Sequence, residues 1–157
     1  MIVFALLFCI LWSGAVNAAG ARDDAVERWI RQHAARVQGT EVSNVRHRVT
    51  GDLDASGRDD AAVLYTLRVP KRGESRYLAL FTSHRDGKTE SLKYRGHVLV
   101  TGPRAGEAVR ATILKRHVVV EMLTFAPGDA ACCPTRQGTR RYQLTSKGVT
   151  LVRPLVK

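Results

Sequence analysis

At 157 residues, 45% hydrophobic and 25% charged, the chain has enough apolar side chains for one real core, which excludes a disordered polymer and leaves no room for a second domain. Its net charge of +11 is unevenly placed, with −1 on residues 20–60 and +12 on residues 61–157. The second part should attract polyanions or anionic membrane surfaces, unless it is simply a solvated basic face.

The chain opens with "MIVFALLFCILWSGAVNAAG", whose first 19 residues carry no charged side chain. A spanning helix needs roughly 20 apolar residues, and Ser13 and Gly14 interrupt this run too early. The run gives way to small residues, with Val16 and Ala18 placed before a cut, so residues 1–19 read as a secretory signal and residues 20–157 as a single domain. No Lys or Arg precedes the apolar run, which departs from the pattern and keeps an uncleaved anchor as the competing reading. Phe8 ahead of Cys9 is wrong for lipid attachment. The expected location is periplasmic or secreted, and the mature chain keeps Cys132 and Cys133 as its cysteines.

"RDDAVERWIRQHAARVQG" predicts a helix. Asp23 or Asp24 is placed to cap its start, Val26, Trp29, Ile30, His33 and Val37 share one face, and Gly39 is a stop. His33 reads as a packing histidine, because no second ligand sits at helical spacing. From there the period changes to strands: "NVRHRVTG", "AAVLYTLRV", "RYLALFTSH", "GHVLVTG", "VRATIL", "HVVVEMLTF", "RRYQLTS" and "VTLVRP". Short turns at Asp86-Gly87, Lys115-Arg116 and Lys147-Gly148 join antiparallel neighbours. The predicted fold is α+β, one N-terminal helix packed on an antiparallel, meander-like β-sheet.

Between two of these strands lies "GDLDASGRDDA". Oxygens at loop positions 1, 3, 5, 7 and 9 can wrap one calcium ion, which takes about six to eight oxygen ligands. Here those positions are Asp52, Asp54, Ser56, the backbone carbonyl of Arg58, and Asp60, with Gly57 at the bend. The competing reading is a polar turn whose aspartates bond their own backbone. The stretch resembles the calcium loop of FG-GAP or integrin-alpha-like repeats, a local match over residues 51–65 in which Ser56 stands where that family has Asp or Asn. The resemblance implies a bound Ca2+ that rigidifies the loop. It does not extend to the propeller architecture, since the chain has one copy and lacks the family's Phe-Gly and Gly-Ala-Pro segments.

"GDAACCPT" puts Cys132 and Cys133 side by side in a loop. Adjacent cysteines do not have zinc-ligand spacing. In an oxidising compartment they can close as a vicinal disulfide, pair between chains or stay reduced, and a redox role would require the labile form. Taken in order, the helix, the aspartate loop and "GDAACCPT…RRYQL" resemble small secreted bacterial domains of unknown function, which implies location and fold only.

No nucleophile elbow, paired-histidine metal spacing or phosphate loop marks an enzyme. Lys93 and Arg95 around Tyr94, with Arg140 and Arg141 beside Tyr142, form a candidate anion-binding set. Secretion argues against nucleic acid, so the expected partner is an anionic envelope polymer or a membrane surface. The expected function is thus an exported, non-enzymatic binding or accessory protein. The alternative is a hydrolase-type or redox enzyme whose site the sequence hides.

Overall fold

The computed structural model describes residues 18–87 and 89–152; the predicted signal segment lies outside these residues except for Ala18 and Ala19. Helix α1 (Ala18–Arg36) is followed by β1 (Thr40–Glu41), a 3-10 turn (Ser43–Val45), and β2 (His47–Gly51). The strands β3 (Asp60–Val69), β4 (Gly73–Asp86), β5 (Thr89–Thr101), β6 (Glu107–Leu114), β7 (His117–Thr124), β8 (Arg136–Thr145) and β9 (Gly148–Val152) complete the fold. All pairings are antiparallel, and α+β describes the fold.

The strands form two sheets, which corrects the expectation of one. The first has the order β1-β3-β4-β5 with β2 also on β3, and the second runs β6-β7-β8-β9. The reason lies in β3 and β4, which are apolar on both faces. Ala62, Leu64, Leu78 and Leu80 meet Val118, Val120, Met122 and Tyr142 of the second sheet. Ala61, Val63, Tyr65, Leu67, Ala79 and Phe81 turn the other way, onto Val26, Trp29 and Ile30 of α1. With a period of two, a strand apolar at every position needs a cover on each side. The first sheet is therefore the middle of three layers.

Two further differences are local. The β4–β5 hairpin is longer than predicted, because "TESLKYR" continues the ladder from Thr89 onward instead of forming a loop. The chain then changes sheets through residues 102–106. At Gly106 (φ 101°) a Cβ would lie 2.3 Å from the Leu123 carbonyl, so only glycine fits there.

Helix α1 has the predicted apolar face, yet its ends differ. It already runs at Ala18, so Asp23 and Asp24 lie inside it and do not cap it. Asp23 instead pairs with Arg48 of β2. At the other end Gln38 takes the left-handed position (φ 55°). Its amide donates to the Ala35 carbonyl, and Gly39 donates to Ala34 at 2.8 Å. This is a Schellman closure, with Gly39 one residue past the left-handed site. Among the described residues no helix is long and apolar enough to cross a membrane.

Candidate functional site

The aspartate loop enters β3 at its buried end. Asp60 has no exposed surface. One of its carboxylate oxygens accepts the Leu53 amide at 2.8 Å and the Asp54 amide at 3.3 Å, and the other accepts the Ser83 amide of β4 at 2.8 Å. A carboxylate taken out of water this way is held by backbone dipoles alone. Asp52 accepts the amides of Ser56 (3.1 Å) and Gly57 (3.0 Å), and Asp54 accepts Ser56 at 3.0 Å. Gly57 has the left-handed φ of 74° that the bend requires.

These contacts bring Asp52, Asp54 and Asp60 together, each with an oxygen within 4.8 Å of the others. Three hard carboxylate oxygens suit a divalent cation such as calcium, and each carboxylate keeps lone pairs beyond those its amide donors use. Ser56 enters the loop as a donor through its amide. The Asp54 carboxyl is held below its ordinary range first by the Ser56 side chain, then by the Ser56 amide and by the charges of Arg58 and Arg95. Asp59 faces outward, and its carbonyl takes Arg22 and the Ser83 hydroxyl.

The candidate anion-binding residues do not share a face. Arg140 donates to the Val100 carbonyl at 2.6 Å and so is tied to the first sheet. Arg141, its neighbour on β8, is exposed and points to the opposite side, as strand alternation demands. Lys93 and Arg95 flank Tyr94, whose ring packs under α1, and both are exposed.

Cys132 and Cys133 are exposed, and their sulfurs are in contact. Their loop is organised by a residue that sequence reading passed over. Asp129 accepts the amides of Ala126 (2.7 Å) and Thr135 (2.9 Å) and the Thr135 hydroxyl (2.8 Å). The Ala126 amide first, then the Thr135 side chain, hold its carboxyl low.

A second cluster also escaped the sequence. His33 of α1 and His97 of β5 lie with ring centroids 4.5 Å apart. His33 Nδ1 is 2.6 Å from the Tyr65 hydroxyl, and His97 Nδ1 is 2.6 Å from the Tyr94 hydroxyl. Trp29 stacks on Tyr94 at 3.7 Å, and Tyr77 meets His33 edge-on at 4.7 Å. Burial pushes His33 down to about 4, with help from His97 and Arg36, and burial also lowers His97. His33 is 4% exposed, so it is the packing residue that its helical position predicted, but packed against a second imidazole. The signal lay in strand alternation, which puts Tyr65 on the helix side of β3. The pairing of β4 with β5 then had to be known before His97 could be placed.

No family model, curated protein or solved structure matches the chain.

Proposed function

We propose that this is an exported, non-enzymatic binding or accessory domain of the cell envelope, with a calcium-stabilised loop over Asp52, Asp54 and Asp60. The observation that carries it is the convergence of those three carboxylates at the buried start of β3. Like charges gathered this closely repel, and a divalent cation converts that repulsion into attraction. Ser56 and the Arg58 carbonyl complete the ligand set in this reading, and Ca2+ ties the loop to the two-sheet core through Asp60. The basic second part of the chain supplies attraction to an anionic envelope polymer or lipid surface, with the exposed Lys93 and Arg95 of β5 as contacts and Arg141 on a separate face. In an oxidising compartment Cys132 and Cys133 form a disulfide that stiffens their loop.

Thermal melting in EDTA and across a calcium titration tests the proposal. A site with a Kd near 0.1 mM adds about 1.4 kcal/mol at 1 mM calcium, from mass action on the native state. The melting temperature should rise with calcium in the parent and stay flat in Asp54→Ala. A parent that is also flat up to several millimolar makes the stretch a self-bonded polar turn.

A further inference from the structure

The two cores lie on opposite faces of β3, β4 and β5, and their chemistry differs. The core between the sheets is aliphatic apart from Met122 and Tyr142, and it contains no residue of α1. The core beneath α1 depends on rings: Trp29, Tyr65, Phe81, Tyr77 and Tyr94, with His33 and His97 among them. The packing between the sheets therefore uses no contact from the helix.

We propose that α1 is a proton-released latch: charging the His33–His97 pair lifts the Arg36 end of the helix off the first sheet, baring an aromatic face while the two sheets stay packed. Three geometric facts support this. The imidazoles are too close to share positive charge at low cost, at 4.5 Å between centroids. Each Nδ1 already faces a tyrosine hydroxyl, and a charged imidazole must donate there, so both tyrosines must act as acceptors. The Trp29 indole, buried in the same cluster, is held mainly by stacking on Tyr94, and its N–H makes no hydrogen bond of good geometry.

Among the described residues, the groups facing the pair offer no counter-charge. From α1 they are Trp29 and Arg36, whose cation lies 5.4 Å from the Trp29 ring centroid; from β3, β4 and β5 they are Tyr65, Tyr77 and Tyr94. Glu41 of β1 acts on Tyr65 from further off and is already paired with Arg46 at 2.5 Å. The first half of the helix is tied differently. Arg22 pairs with Glu90, Asp23 with Arg48 and Glu27 with Arg46. Arg46 also holds the Glu27 carboxyl below its ordinary range, so the helix pivots on its start.

Amide hydrogen exchange, corrected for intrinsic rates, reads the latch in the full chain. Between pH 6 and pH 5 the opening constant for amides 29–36 should rise roughly tenfold, while β7 amides 117–124 hold their protection. Equal loss of protection in both segments, or a helix that does not change, overturns the latch. In His33→Gln/His97→Gln the helix slope should vanish, and a slope equal to the parent's overturns it as well. Should that variant not fold, the parent profile decides. In a Trp12→Phe background, iodide quenching of Trp29 should rise over the same range while the far-ultraviolet strand signal persists.

Discussion

The two faces of the central sheet do the same job by different means. Toward the second sheet, β3 and β4 present Ala62, Leu64, Leu78 and Leu80, none with any exposed surface. Toward the helix they present Tyr65, Tyr77 and Phe81, which share their space with two imidazoles and an indole. Aliphatic packing is non-directional and indifferent to pH. Ring packing that includes histidine is conditional, because burial disfavours one protonation state. One sheet thus carries a permanent interface and a conditional one.

The largest expected effect lies on the aliphatic face. Leu80→Ala should cost about 3 kcal/mol, by lost transfer energy and the cavity left behind, and urea midpoints should show the same loss at pH 7.5 and pH 5. A pH-dependent loss would blur the distinction between the faces.

Next comes the proton sensitivity of the helix face. The folded-state pKa of His33, about 4, is below its ordinary 6.5, so its contribution is fully present above pH 6.5 and is lost as pH falls toward 4. From pH 7.5 to pH 5 that loss amounts to about 2 kcal/mol. Urea unfolding at the two pH values should show it in the parent and not in His33→Gln.

The smallest effect belongs to one hydroxyl. Tyr65→Phe keeps the ring packing but leaves His33 Nδ1 facing a hydrocarbon edge. It should cost about 1 kcal/mol at pH 7.5, read by the same unfolding curves. A neutral result would show that the imidazole finds another partner.

Much of this was legible in the residues. The apolar face of α1 follows from Val26, Trp29, Ile30 and His33 at helical spacing, and short turns such as Lys115-Arg116 dictated antiparallel hairpins. The second sheet was legible too, though only in the unbroken apolar run "AAVLY", whose lack of alternation means burial on both faces. In the aspartate loop the spacing picked out Asp52, Asp54 and Asp60. That Asp60 is buried beneath Ser83 depends on the β3–β4 pairing, 23 residues away.

The sequence by itself determined what depends on near neighbours: the helix stripe, the hairpin turns, the glycine bend at Gly57 and the gathering of carboxylates around it. The tertiary structure alone decided which strands form which sheet, that Arg140 reaches the Val100 carbonyl of the other sheet, and that His33 and His97, 64 positions apart in the chain, become neighbours. The physical reason is range. Backbone periodicity and turn chemistry act over a few residues, whereas a contact across a sheet exists only after the register of every intervening strand is set.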